Sequence, residues 1–241
     1  MRHLDLFSGI GGFALAARWL GINTIGFCEI DPWARDVLNK NFSNIPIHDD
    51  IKTIKGDKYG SIDIITGGYP CQPFSVAGKQ RGTNDDRHLW PEMLRVIQEA
   101  RPTWILCENV AGHIKLGLDK VLFDLEAEGY GTQPLIIPAC ATDKVHRRDR
   151  VWIIANSNSK RGNELLPTSI LEEHNSKSKK QSRGRRFCSA GGYSAREAAS
   201  RMLRKDDGVP FGVDRNRGLG NAIVPQVAYE IMKVILFLHN N

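Results

Sequence analysis

The sequence predicts an α/β fold, in which a mostly parallel β-sheet carries helices on both of its faces. Over residues 1–155, short apolar runs rich in β-branched residues alternate with longer runs whose apolar residues recur at helical spacing. Apolar strands separated by helices are typical of parallel sheets wound through right-handed crossovers. Ligands of such sheets bind beyond the carboxyl ends of the strands, so the residues just after each strand are candidates for function.

The first two strand–helix units have clear boundaries. Residues 2–7 predict a strand that runs into a glycine-rich turn, and residues 12–20 predict a helix with one apolar face. Residues 24–29 predict the second strand. Asp31 and Pro32 then provide an N-cap and a proline at the first helical position, for a helix that extends to about residue 41.

The alternation continues up to residue 155, and one more helix comes much later. The further predicted strands are 61–67, 104–110, 133–138 and 150–155, and the further predicted helices are 89–100 and 118–128. From residue 223 an amphipathic helix returns, and its apolar stripe requires a surface on which to dock. We therefore predict one main domain formed by residues 1–155 and 218–241, with residues 156–217 as an insertion.

Composition excludes several classes of protein. The 241 residues are 41% hydrophobic and 25% charged, which is close to the globular average and argues against wholesale disorder, collagen and coiled coil. No apolar window is long enough for a transmembrane helix, and the first residues do not resemble a signal peptide. The five cysteines are widely spaced and form no C-x-x-C pair, so we expect no disulfide, no metal site and a cytoplasmic location.

The net charge of +6 is distributed unevenly along the chain. Residues 156–217 contain 14 Lys and Arg against 7 Asp and Glu, whereas the rest of the chain contains 19 against 20. Concentrated positive charge predicts contact with a polyanion, although a solvated basic loop would have the same composition.

The first candidate site lies just after the first two strands. Residues 5–12 read DLFSGIGG, in which glycines allow a tight turn and a close approach of the backbone to a ligand. Glu29, at the end of the second strand, could accept hydrogen bonds from both hydroxyls of a ribose, which predicts a nucleoside ligand. Asp50 and Ile51 offer a carboxylate for an exocyclic amine and an apolar contact for its ring, although Asp49 and Asp50 could equally cap a turn.

A second group of candidates lies at the ends of the later strands. Cys71 lies between two prolines just after the strand 61–67, where a stiffened backbone could position a nucleophile, although most free cysteines are inert. Glu108 ends a later strand, and burial among apolar neighbours would make it a proton donor unless it only caps a turn. Arg148 and Arg150 share one side of an extended chain, where they would favour a thiolate or bind a phosphate or base carbonyl, or else be solvated.

In this combination and order, the sequence resembles the DNA (cytosine-5)-methyltransferase family, and in particular its short phage-type members. The matching blocks are 5–12, 27–33, 67–82, 108–110, 146–154 and 220–225. The resemblance implies a Rossmann-like S-adenosylmethionine-dependent methyltransferase fold. Residues 1–155 and 218–241 would form its catalytic domain, and residues 156–217 a short variable region that recognises the target.

The resemblance also implies roles for individual residues. S-adenosylmethionine would be bound by Phe7, Gly9, Gly11, Glu29, Asp50, Ile51 and Asn221. Catalysis on a cytosine flipped out of double-stranded DNA would use Cys71 as the nucleophile, Glu108 as the proton donor at N3, and Arg148 and Arg150 beside the base. Contacts to DNA would come from Gln72, Ser75, Lys79, Gln80 and Arg81. A cognate restriction endonuclease and a monomeric state are further expectations.

Three alternatives stay open on the sequence alone. The chain could be a non-catalytic DNA-binding remnant, or a tRNA methyltransferase with the same catalytic core. The glycine pattern also fits an oxidoreductase that binds a dinucleotide, but this leaves Cys71, Glu108 and the arginine pair unexplained.

Overall fold

The structure is a computed structural model that describes residues 1–70, 89–138, 149–157 and 222–240. The strands are β1 (Arg2–Leu6), β2 (Asn23–Cys28), β3 (Ile47–His48), β4 (Ile64–Gly67), β5 (Trp104–Val110), β6 (Gly131–Pro138) and β7 (Asp149–Asn156). The helices are α1 (Gly12–Trp19), α2 (Pro32–Asn41), α3 (Trp90–Ala100), α4 (His113–Leu116), α5 (Leu118–Ala127) and α6 (Pro225–Asn240), and a 3-10 helix spans Gly56–Tyr59. The strands and helices predicted from the sequence are present, with boundaries that agree to within about three residues.

The described strands form one sheet in the order β3-β2-β1-β4-β5-β7-β6. Strands β1 to β5 pair in parallel, and β7 is antiparallel to both β5 and β6. The prediction of a mostly parallel sheet is confirmed. Because β4 lies between β1 and β5, the carboxyl ends of β2, β1, β4 and β5 are neighbours along a single edge of the sheet.

Helices cover both faces of this sheet, as predicted. On one face α3 and α5 pack over the strands through buried side chains such as Met93, Ile97 and Leu125. On the other face α1 and α6 pack together over the sheet through Phe13 and Ile231, among others. Each such side chain contributes about 1.5–3 kcal/mol when it is fully buried. The apolar stripe of the C-terminal helix therefore docks on α1 and the sheet.

Local sequence explains why α2 begins where it does. The Asp31 carboxylate accepts hydrogen bonds from the backbone N–H groups of Trp33 at 2.9 Å and Ala34 at 3.3 Å, and Pro32 occupies the first turn. By contrast, β3, the 3-10 helix and α4 were not predicted. These elements are two to four residues long, too short for a periodic pattern to show.

Within residues 1–70, 89–138, 149–157 and 222–240, no helix has both the length and the apolar character needed to cross a membrane. The predicted insertion, residues 156–217, lies almost entirely outside the described part of the chain, so its boundaries stay a prediction.

Candidate functional site

The turn after β1 has a backbone that few residue types adopt. Phe7, Gly9 and Gly11 all have positive φ angles, of 53°, 53° and 87°. The left-handed region is costly for a residue with a Cβ, so Phe7 is a strained position. The Ser8 hydroxyl donates to the carbonyl of Asp5 at 2.7 Å, and Gly11 N–H donates to the carbonyl of Ser8 at 2.9 Å. These bonds fix the turn that the glycines allow.

The two glycines of this turn serve different purposes. Among residues 1–70, 89–138, 149–157 and 222–240, no atom lies within 4 Å of a Cβ added at Gly9, so the described part of the chain leaves this side of the turn open. A Cβ at Gly11 would lie 2.7 Å from Phe42 and 2.9 Å from Leu38, so this glycine is required for packing against α2. The open side at Gly9 leaves room for a ligand to approach the backbone closely.

Glu29 connects the end of β2 to the glycine turn. Its Oε2 accepts the N–H of Gly9 at 2.7 Å, and its Oε1 accepts the N–H of Asp31 at 2.8 Å. A carboxylate has about four lone-pair sites, so these two bonds leave capacity for further donors such as hydroxyl groups. Glu29 therefore lies at the turn, where a nucleoside would need it.

Asp50 and Ile51 come after β3, beside Glu29, whose N–H donates to the carbonyl of His48 at 2.9 Å. Asp50 caps a turn, because its Oδ1 accepts the N–H of Lys52 at 2.9 Å, which is the alternative that the sequence left open. Ile51 is only 4% exposed and belongs to the core.

One apolar residue of this region was not selected from the sequence. Ile30, directly after Glu29, is 69% exposed. The signal was an isoleucine between a strand-terminal acid and the N-cap of α2, a position that neither element buries. We call Phe7, Gly9, Gly11, Glu29 and Asp50 the glycine-turn cluster.

A buried hydrogen-bond network lies beneath this cluster. His3 bonds to the hydroxyls of Thr24 at 3.0 Å and Thr66 at 2.7 Å, and Thr66 donates to Asp5 Oδ1 at 2.7 Å. Burial raises the pKa of Asp5 to about 8, although the hydrogen bond from Thr66 opposes the shift. Burial lowers the pKa of His3 to about 3. Both groups are therefore predominantly neutral at pH 7 in the folded protein.

Glu108 lies near the end of β5 and is 8% exposed. Its Oε1 pairs with Arg150 Nε at 2.7 Å, because the antiparallel register brings the start of β7 beside the end of β5. A Cβ on Gly68 would lie 3.7 Å from Glu108 Oε2, so the carboxyl also lies close to the backbone that leaves β4. The sequence argument expected apolar neighbours for this carboxyl, and the structure adds a cation.

The backbone that leaves β4 is anchored by residues that sequence reasoning missed. The Asn109 amide donates to the carbonyl of Tyr69 at 3.1 Å, and the Tyr69 hydroxyl shares a hydrogen bond of 2.8 Å with His113 Nε2. The Tyr69 ring also packs against Trp90, with centroids 5.0 Å apart. These contacts come from β5, α4 and α3, and only an asparagine after Glu108 hinted at them. We call Tyr69, Glu108, Asn109, His113 and Arg150 the carboxylate–arginine cluster.

The segment before α6 packs beside the glycine turn and also borders the carboxylate–arginine cluster. A Cβ on Gly12 would lie 2.5 Å from Ile223 Cγ1, so this segment packs directly on the start of α1. The same segment helps to line a pocket next to the ion pair of Glu108 and Arg150. The residues that line this pocket are Glu108, Ile137, Arg150, Trp152, Ala222, Ile223, Val224 and Val227.

Several predicted site residues lie outside the described residues. They are Cys71, Gln72, Ser75, Lys79, Gln80, Arg81, Arg148 and Asn221. The structure brings other predicted residues together in two groups. One group contains Phe7, Gly9, Gly11, Glu29 and Asp50, and the other contains Glu108 and Arg150. The roles of all these residues stay predictions.

The comparisons with known proteins agree on one family. A family model described as C-5 cytosine-specific DNA methylase matches residues 1–205. The chain is 35% identical over 161 residues to type II methyltransferase M.HgiCII of Herpetosiphon aurantiacus, covering 64% of this chain and 36% of that protein. It is 36% identical over 165 residues to type II methyltransferase M2.BsuMI of Bacillus subtilis strain 168, covering 65% and 42%. The aligned part thus spans less than half the length of these relatives.

Solved structures agree with the family match. The Dnmt2 methyltransferase of S. pombe matches with a TM-score of 0.60 and 25% identity, over 71% of this chain and 55% of that one. A mutant of Spodoptera frugiperda DNMT2 matches with a TM-score of 0.57 and 25% identity, over 69% and 55%. The Rossmann-like methyltransferase fold predicted from the sequence is confirmed.

Proposed function

The chain belongs to the C-5 cytosine-specific DNA methylase family, and from that premise we propose that it transfers a methyl group from S-adenosylmethionine to C5 of cytosine in double-stranded DNA. The Cys71 thiolate would add to C6 of the base, which makes C5 nucleophilic enough to take the methyl group. Loss of the C5 proton to a base would then expel the thiolate and restore the ring. Because C6 is inaccessible in a stacked duplex, the cytosine would be flipped into the pocket.

The order of strands along one edge is the observation that carries this proposal. The glycine-turn cluster lies after β1, β2 and β3, and Glu108 with Arg150 lies on β5 and β7. β4 lies between β1 and β5, and Cys71 comes four residues after Gly67 at its end. The chain therefore leaves β4 between the glycine turn and the buried Glu108, and Cys71 follows soon after in the sequence, which supports its proposed role.

The glycine-turn cluster fits S-adenosylmethionine, which supplies an electrophilic methyl group when bound. The open side of Gly9 accommodates a close ligand, and Glu29 retains lone pairs for the ribose hydroxyls. The exposed Ile30 side chain offers an apolar surface for the adenine next to Glu29. Ile51 is only 4% exposed and therefore offers much less surface for such a contact.

The carboxylate–arginine cluster would act on the base. Glu108 would donate a proton to N3 as the thiolate adds to C6. This proton neutralises the negative charge that the addition places on the ring. Arg150 would hold the carboxyl in place through their 2.7 Å contact and help to bind the base. Arg148 is proposed beside it.

DNA binding would involve the basic region 156–217 as the target-recognition segment and, near the nucleophile, Gln72, Ser75, Lys79, Gln80 and Arg81. The excess of 14 Lys and Arg over 7 Asp and Glu in that region supports contacts to phosphates. We expect a cytoplasmic, monomeric enzyme that works beside a restriction endonuclease.

The decisive test is label transfer by a nucleophile variant. Purified protein is incubated with tritiated S-adenosylmethionine and either duplex DNA or tRNA. We expect the wild type to label DNA, and Cys71→Ser to lose label transfer while its affinity for S-adenosylhomocysteine is kept. Cys140→Ser, at a cysteine with no proposed role, is the matched control. Transfer of label to tRNA and not to DNA would mean that tRNA is the substrate. Absence of transfer by the wild type would favour a non-catalytic remnant.

A further inference from the structure

The loop that joins β3 to the 3-10 helix is held by side chains of α3. Strand β3 has only two residues, so its ladder provides little support for this loop. Arg95 donates from Nη2 to the carbonyl of Ile51 at 2.8 Å and from Nη1 to the carbonyl of Ile54 at 3.0 Å. Glu99 Oε2 accepts the N–H of Gly56 at 2.8 Å. Two side chains of one helix thus fix two carbonyl groups of the loop and the first N–H group of the 3-10 helix that follows it.

The guanidinium of Arg95 is itself fixed by two carboxylates. Its Nε donates to Glu92 Oε2 at 2.9 Å and its Nη1 to Glu99 Oε1 at 2.6 Å. These residues lie three positions before and four positions after Arg95, on one face of the helix. Since a guanidinium is planar, holding two of its nitrogens also sets the direction of its remaining N–H groups. Those groups point at the loop.

The loop has little freedom to shift relative to α3. A Cβ on Gly56 would lie 2.7 Å from the carbonyl oxygen of Val96, so the two backbones are in direct contact. The side chains of Ile51 and Ile54 are buried in the core beneath the loop. The position of Asp50, at the start of the loop, therefore depends on how Arg95 holds the rest of it.

We propose that Arg95, supported by Glu92 and Glu99, is a positioning residue that makes the site specific for a 6-aminopurine. This inference rests on the proposed function and on the expectation from the sequence that Asp50 accepts the exocyclic amine of the adenine; Asp50 Oδ1 accepts the N–H of Lys52, and its Oδ2 is the oxygen that we assign to this amine. A carboxylate accepts a hydrogen bond from the 6-amino group of adenine but repels the 6-carbonyl oxygen of hypoxanthine. Discrimination between the two bases requires the carboxylate at a fixed distance, which the Arg95 contacts provide.

The test compares two ligands that differ only at this position of the purine. Binding of S-adenosylhomocysteine and of S-inosylhomocysteine is measured by calorimetry for the wild type and for Arg95→Ala. We expect the wild type to prefer the adenosyl compound by on the order of tenfold or more. The variant should lose about that factor for the adenosyl compound alone, so that the ratio of the two dissociation constants approaches one.

Two further variants make the outcome decisive. Arg101→Ala removes an arginine at the end of the same helix, whose exposed pair with Glu128 (2.9 Å) does not touch the loop, and the ratio should stay at the wild-type value. Arg95→Lys, which cannot reach both carbonyls, should show a partial loss and covers the case in which Arg95→Ala does not fold.

Equal weakening of both compounds in the Arg95 variants would mean a purely structural role and would overturn the inference. An unchanged ratio would do the same. A wild type that binds neither compound would overturn the cofactor assignment, and this inference with it, before any variant is needed.

Discussion

The two clusters at the edge of the sheet are built in different ways. In the glycine-turn cluster, the Glu29 carboxylate accepts from backbone N–H groups of Gly9 and Asp31, which lie close to strand ends. In the carboxylate–arginine cluster, Glu108 and Tyr69 bond to side chains on other elements, namely Arg150 and His113. The first cluster is therefore held by backbone N–H groups at the ends of two adjacent strands, and the second by side chains of elements that are far apart in the sequence. Substitutions should consequently separate cofactor binding from transfer.

The largest effect is expected from Glu108→Gln. This change keeps the shape of the side chain but removes the proton donor, so we expect methyl transfer to slow by on the order of 10²-fold or more. Affinity for S-adenosylhomocysteine should stay within about twofold of wild type, since Glu108 belongs to the other cluster. Transfer of tritium to DNA and calorimetry measure the two quantities.

The matched control for this experiment is Glu128→Gln, which breaks an exposed pair with Arg101 and should leave both quantities unchanged. If Glu108→Gln weakened cofactor binding as strongly as it slowed transfer, the two clusters would not be separable.

Gly11→Ala should destabilise the fold by about 3 kcal/mol, because a left-handed residue with a Cβ costs about 1–2 kcal/mol and overpacking adds a similar amount. The added Cβ would lie 2.7 Å from Phe42 at a φ of 87°. Gly21→Ala is the control, since its φ is 69° but no atom of the described part of the chain lies within 4 Å of the added carbon. The difference between their urea midpoints isolates the packing part, and equal losses would show that the left-handed conformation alone, and not the lack of space, requires glycine at position 11.

The buried Asp5 predicts how stability depends on pH. Its pKa is raised to about 8 by burial, so the folded protein keeps a proton that the unfolded chain has already lost. The stability from this group is therefore greatest below about pH 4 and falls as pH rises towards 8. His3, whose pKa burial lowers to about 3, contributes the opposite slope below its ordinary value of 6.5. Of these two groups, Asp5 is the one that still changes the stability between pH 6.5 and 8.

Between pH 6.5 and 8 we expect the free energy of unfolding to fall by up to about 2 kcal/mol because of Asp5. Asp5→Asn keeps an acceptor for Thr66 and should flatten this part of the profile, as measured by urea unfolding at several pH values. The same slope in the variant as in the wild type would contradict an uncharged Asp5 beneath the glycine-turn cluster.

The sequence was sufficient for the features that local physics determines. The strands show as apolar runs, α2 has its N-cap Asp31, and the glycine turn and Glu29 lie at the ends of strands that could be located directly. The alternation of elements also predicted the parallel part of the sheet, because parallel strands need crossover helices.

The pairing of distant side chains could not be predicted in the same way. Glu108 and Arg150 were both selected, but their ion pair depends on the antiparallel placement of β7 beside β5, which no local pattern encodes. Tyr69 and His113 are 44 residues apart in sequence and meet only because α4 comes immediately after β5. Arg95 was not selected from the sequence, because its backbone partners Ile54 and Ile51 are 41 and 44 residues away along the chain and reach it only through the position of the β3 loop.

The contact of Ile223 with Gly12 bears on how much the stretch of chain before it can vary. The pocket takes one wall from before the stretch 158–221 and another from after it, and the packing of α6 on α1 holds the second wall in place. Closing a chain segment costs only about 0.6 kcal/mol more for each doubling of its length. The intervening stretch can therefore be exchanged, lengthened or shortened during evolution at small thermodynamic cost, while the pocket beside Glu108 and Arg150 keeps both of its walls.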